Sequence, residues 1–139
     1  MYDENGPGTP PLGHLPHYYG DRVRELFVAG ALISFIAIPI WGNILPFGVG
    51  TQIGAGLLLV ILAGLTDPKN KGVMLLNALY AGISVLLLES AAIGMQAAES
   101  WQLFLVREVS ALVLLIALYF AIKTARAMSL GEIPPESKS

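Results

Sequence analysis

Between positions 73 and 98 the chain is dominated by apolar and small residues and carries a single charged side chain, Glu89, inside the stretch LLLESAAIG. A transmembrane helix needs roughly 20 mainly apolar residues, and four segments come close to that: 24–43, 47–65, 73–98 and 101–124. With 55% hydrophobic and 13% charged residues in 139 positions, the chain is too apolar for an ordinary soluble domain. The connections GNILPFG, TDPKNKG and the residues around Glu99 and Ser100 are short, so consecutive spans must run antiparallel. The predicted fold is all-α, an integral membrane protein with a four-transmembrane-helix antiparallel bundle in up-down-up-down order over 22–128.

Flanking tails complete the organisation. Positions 1–21 hold Pro7, Pro10, Pro11 and Pro16 among glycines and polar residues, and are expected to be an extended, flexible tail. No small-residue cleavage motif follows the first apolar run, which argues against a removable signal peptide. The polar stretch 129–139 is expected to be a disordered tail.

Basic residues set the expected orientation, because Lys and Arg are retained on the cytoplasmic side. Arg22 and Arg24 precede the first span, Lys69 and Lys71 separate the second from the third, and Lys123, Arg126 and Lys138 come at or after the end of the fourth. The opposite connections hold none, and Arg107 lies within a span. Both termini are therefore predicted to be cytoplasmic, in a plasma (inner) membrane, and the one-sided bias argues against insertion both ways up. Trp41 and Trp101 fall at the outer ends, where interfacial anchors belong.

Several classes of function are excluded as readings. A net charge of −2 with scattered basic residues offers no nucleic-acid footprint. The absence of cysteine removes thiolate chemistry. His14 and His17 in HLPH lack a third ligand, so no metal or other cofactor is expected. No nucleophile–base arrangement or phosphate-binding loop appears, and no catalytic residues are assigned.

Small residues four apart permit close helix approach. Gly50 and Gly54 form a GxxxG, Ser90, Gly94 and Ala98 continue the spacing in the third span, and Ala117, Ala121 and Ala125 repeat it in the fourth. Their expected role is packing within the bundle, with self-association as the alternative. Pro39 is expected to kink the end of the first helix.

The polar residues inside the spans carry the functional question. Glu89 and Arg107 are each nine positions from Ala98, so in an α-helical hairpin both sit about 13 Å from the turn. An ion pair between them would let both remain in lipid. Glu108, rotated by about 100° from Arg107, needs another partner. Gln52 reaches a comparable depth, so Gln52, Glu89, Arg107 and Glu108 form a predicted polar layer in the outer half, with Asn43 at its rim. Two carboxylates against one guanidinium imply that one, preferentially Glu108, is protonated or neutralised by a monovalent cation. If the ion pair holds, Arg107→Leu alone damages folding, and a Glu89→Leu, Arg107→Leu double change largely recovers it. Asn77, Tyr80 and Ser84 are read either as a polar path toward Glu89 or as interhelical hydrogen bonds.

Two functions follow. The first is a small non-enzymatic membrane protein acting by helix–helix assembly in the lipid bilayer, as a homo-oligomer or as an accessory subunit of another membrane protein. The second is an ion channel or proton-coupled transporter using the Glu/Arg layer.

Overall fold

The computed structural model describes residues 18–45, 47–67, 70–95 and 100–131. These form four helices, α1 (Gly20–Ile40), α2 (Val49–Leu65), α3 (Lys71–Met95) and α4 (Trp101–Ser129). Residues 1–17 and 132–139 of the expected tails, with His14 and His17 among them, and Lys69 and Ala98 lie outside the described residues, while Gly20 and Asp21 belong to α1 and Ser129 to α4. α1, α3 and α4 are each long and apolar enough to cross a membrane, whereas α2 has 17 residues and is shorter. Large apolar side chains such as Leu57, Ile61, Leu79, Leu86 and Leu112 point outward all around the molecule. A surface of that kind suits lipid rather than water, and suggests an integral membrane protein.

The helix limits differ from those expected. α1 begins four residues before position 24 and stops at Ile40, short of 43. Pro39 stands in its last turn, and Gly42, with φ 101°, turns the chain away. Gly48, with φ 102°, closes the connection before α2. Both glycines occupy backbone space that an L side chain enters only with strain. α4 begins at Trp101, as expected, because Ser100 caps it: the Ser100 hydroxyl accepts from the Leu103 N–H at 3.2 Å. It continues to Ser129, five residues past the expected end.

Neighbours are antiparallel. The start of α1 meets the end of α4, where the Tyr19 N–H donates to Thr124 Oγ1 at 3.0 Å. α4 contributes a buried stripe of Leu103, Arg107, Ser110, Ala111, Leu114, Ala117 and Ala121, at the three-and-four spacing of one helix face. α3 packs chiefly on α4, and α1 packs on both α4 and α2. α2 and α3 barely touch, so the helices form an arc in the order α2, α1, α4, α3 rather than a closed ring. At the α1–α2 contact a Cβ on Gly56 would come within 2.7 Å of the Phe35 ring, so the glycine allows the aromatic to seat.

Small-residue motifs divide into two groups. Ala117 and Ala121 are fully buried within the bundle. By contrast, among the described residues nothing lies within 4 Å of a Cβ placed on Gly50, Gly54 or Gly94, and Ser90 is exposed. The α4 motif packs inside the molecule; those of α2 and α3 do not.

Candidate functional site

Polar side chains concentrate at the end of the bundle that bears the α1–α2 turn. Residues 43–45 of that turn lie beyond the α1 hydrogen-bond ladder, with Ile44 buried, so their backbone N–H and C=O groups must be satisfied from elsewhere. Two side chains do so. Gln52, fully buried, accepts from the Ile44 N–H at 2.7 Å and the Leu45 N–H at 3.5 Å through Oε1, and its Nε2 donates to the Ser34 carbonyl at 2.8 Å. Arg107, also fully buried, donates through Nε to the Ile44 carbonyl at 2.7 Å and through Nη2 to the Asn43 carbonyl at 3.2 Å. Donors and acceptors of one turn are thus held from opposite sides.

That geometry gives Arg107 partners other than the expected ion pair. Among the described residues no salt bridge joins Arg107 to Glu89. Arg107 lies on the α4 face turned toward α1 and the α1–α2 turn, where its hydrogen-bond acceptors are. The next residue, Glu108, is the one directed at α3, and its carboxyl lies within hydrogen-bonding reach of Glu89 and in the field of Arg107. Both glutamates are half-buried. The expected layer of Gln52, Glu89, Arg107 and Glu108 therefore divides into a turn clamp and a carboxyl pair. Two adjacent carboxyls can share one proton or hold a small cation between them.

A second polar cluster occupies the opposite end. Arg24 donates through Nε to the Ala63 carbonyl at 3.0 Å and through Nη2 to the Thr66 carbonyl, covering carbonyls at the C-terminus of α2. Thr66 Oγ1 donates to the Leu62 carbonyl at 2.8 Å and accepts from Asn77 Nδ2 at 2.9 Å. Tyr80 Oη donates to the Ala55 carbonyl at 2.8 Å, bridging α3 to α2. Asn77 and Tyr80 thus make interhelical hydrogen bonds across the seam where α2 and α3 scarcely pack. Asn77 Oδ1 and Ser110 Oγ are buried with no hydrogen-bond partner among the described residues.

The sequence reading missed the Arg24–Thr66 contact, and a signal was present. A short helix ending at Leu65 leaves carbonyls that require donors, and Arg24 is the basic residue at the same end of the preceding antiparallel helix. Ser34 and Ser110 carried no comparable signal, since serine is unremarkable in a membrane helix. Among the described residues no group of three His, Cys, Asp or Glu side chains could hold a metal ion.

The arrangement is that of a small all-helical protein, three of its helices long and apolar enough to cross a membrane, whose interior polar groups sit at the α1–α2 turn, at the C-terminal end of α2 and along the central seam. Comparison with protein-family models, curated proteins and solved structures yields no match.

Proposed function

We propose that the protein is a non-enzymatic integral membrane protein that acts by helix–helix assembly, with itself or as an accessory subunit of a membrane complex. Both termini face the cytoplasm across a plasma (inner) membrane in this reading, which the one-sided placement of Lys and Arg supports. The observation that carries it is the open face of α2: Gly50 and Gly54 form a GxxxG, and among the described residues nothing lies within 4 Å of a Cβ placed on either. Such a face lets two backbones approach closely in lipid, where association depends on van der Waals contact rather than on hydrophobic burial. α2 supports the reading in a second way. Its 17 residues span about 25 Å, short of the roughly 30 Å hydrocarbon layer, and short spans are accommodated by bilayer thinning or by oligomerisation.

The test is a Gly50→Leu, Gly54→Leu double variant, followed by energy transfer between labelled copies in bilayers at varied protein-to-lipid ratio. Association is expected to weaken by at least about tenfold, equivalent to ~1.4 kcal/mol. A Val60→Leu change, on another side of the same helix, is expected to leave it unchanged. Unaltered transfer in the double variant would remove the α2 face from the reading.

The Glu89–Glu108 contact favours a second reading, a proton or monovalent-cation conduit. α4, with 29 residues, is about 43 Å long, so with the hydrocarbon layer centred on it Glu108 sits about one turn inside the outer boundary. A carboxyl pair at that depth is accessible from one side. Proton or cation flux into proteoliposomes, abolished by a folded Glu89→Gln variant, is the expected result for a conduit. Absence of flux under either gradient would leave assembly as the function.

A further inference from the structure

Where the four helices converge at mid-bundle there is a cavity of about 20 Å³, walled by Ser34 of α1, Ala55 of α2, Tyr80 and Ser84 of α3 and Ser110 of α4. The wall is unusual for so apolar a protein in carrying four hydroxyls. Ser110 is 2% exposed, and its Oγ has no hydrogen-bond partner among the described residues. A serine inside a helix commonly resolves this by bonding the carbonyl one turn back, which Ser110 does not do. An unpaired hydroxyl at such a depth is costly unless something small and polar meets it.

Water is the ligand that fits. A cavity holds one molecule when its volume exceeds roughly 10–15 Å³ and two to four polar groups surround it. Tyr80 Oη gives its proton to the Ala55 carbonyl and so keeps lone pairs to accept with, and Ser84, about one turn further along α3, lines the same cavity. We propose that the cavity is a binding site for one structural water, bonded to Ser110 on one side and to the Ser84–Tyr80 wall on the other, with Ser34 as a further contact.

That water lies between two separate polar groups. On the turn side, Gln52 holds the Ser34 carbonyl. On the other, Asn77 stands one turn before Tyr80 on α3 and bonds Thr66, whose carbonyl receives Arg24. Filled, the cavity places a hydrogen-bonding molecule between them, and it braces the thin α2–α3 seam from within. The site stands independently of either reading of function.

Solid-state NMR of the full chain in lipids with deuterated acyl chains tests it, by following magnetisation from water protons into the protein. Early transfer is expected at Ser34, Ser84 and Ser110, well above that at Ala121, which is buried away from the cavity. Ser110→Val removes the hydroxyl and fills the space, so transfer at Ser34 and Ser84 should fall to the Ala121 level. If that variant does not fold, Ser84→Ala should lower transfer at Ser110. Transfer at the three serines no greater than at Ala121 in the unaltered protein would show a dry cavity and overturn the proposal. Undiminished transfer at Ser34 and Ser84 in folded Ser110→Val would overturn the assigned site.

Discussion

Arg107→Leu is expected to destabilise the protein by about 2–6 kcal/mol, at roughly 1–3 kcal/mol for each buried carbonyl left without its donor. The carbonyls are those of Ile44 and Asn43, which receive Nε and Nη2. Both belong to the backbone, so no side-chain change can remove the unmet acceptor. This reverses the expectation that follows from a Glu89–Arg107 ion pair. The Glu89→Leu, Arg107→Leu double variant should be about as unstable as Arg107→Leu alone, with a coupling energy near zero. Arg107→Lys should recover only part of the loss, because one ammonium cannot reproduce the planar fork that reaches two carbonyls. Reversible unfolding in mixed micelles, carried through the four members of the cycle, gives the answer. A coupling above about 1 kcal/mol would restore the ion pair.

Gln52→Leu should cost about 2–4 kcal/mol by the same measurement, since its amide meets groups of both signs. Oε1 accepts from Ile44 and Leu45, while Nε2 donates to Ser34. Gln52→Glu separates the two halves of that role. A carboxylate keeps the acceptors but faces the Ser34 carbonyl with no proton to give, so Gln52→Glu should be destabilised at neutral pH and less so in acid, where a carboxyl O–H can donate. A stability for Gln52→Glu equal to that of the natural protein at neutral pH would show that the Ser34 contact contributes nothing.

Both predictions concern the α1–α2 turn, which separates what could be read from the chain from what could not. Four apolar runs with short connections leave an antiparallel helical arrangement as the economical solution, because each helix satisfies its own backbone and the linkers reach no farther than a neighbour. Ser100 announces the start of α4 through cap chemistry that is local in sequence. The equal distances of positions 89 and 107 from Ala98 set a common depth, since rise per residue is a property of the helix alone.

Azimuth is different. Whether Arg107 or Glu108 faces α3 depends on how far α4 is rotated about its axis, and that is settled by packing against α1 and α3 together. One residue along the helix is about 100° of rotation, enough to exchange an ion pair for a carboxyl pair. Likewise, GxxxG spacing marks a face that can pack closely but says nothing of whether a neighbour occupies it. Ala117 and Ala121 are covered and Gly50 and Gly54 are open, because α1 and α4 sit at the centre of the arc and α2 lies at its end. Depth and helix number follow from local geometry and solvent preference, whereas the facing of each side chain is a collective outcome of four helices packing at once.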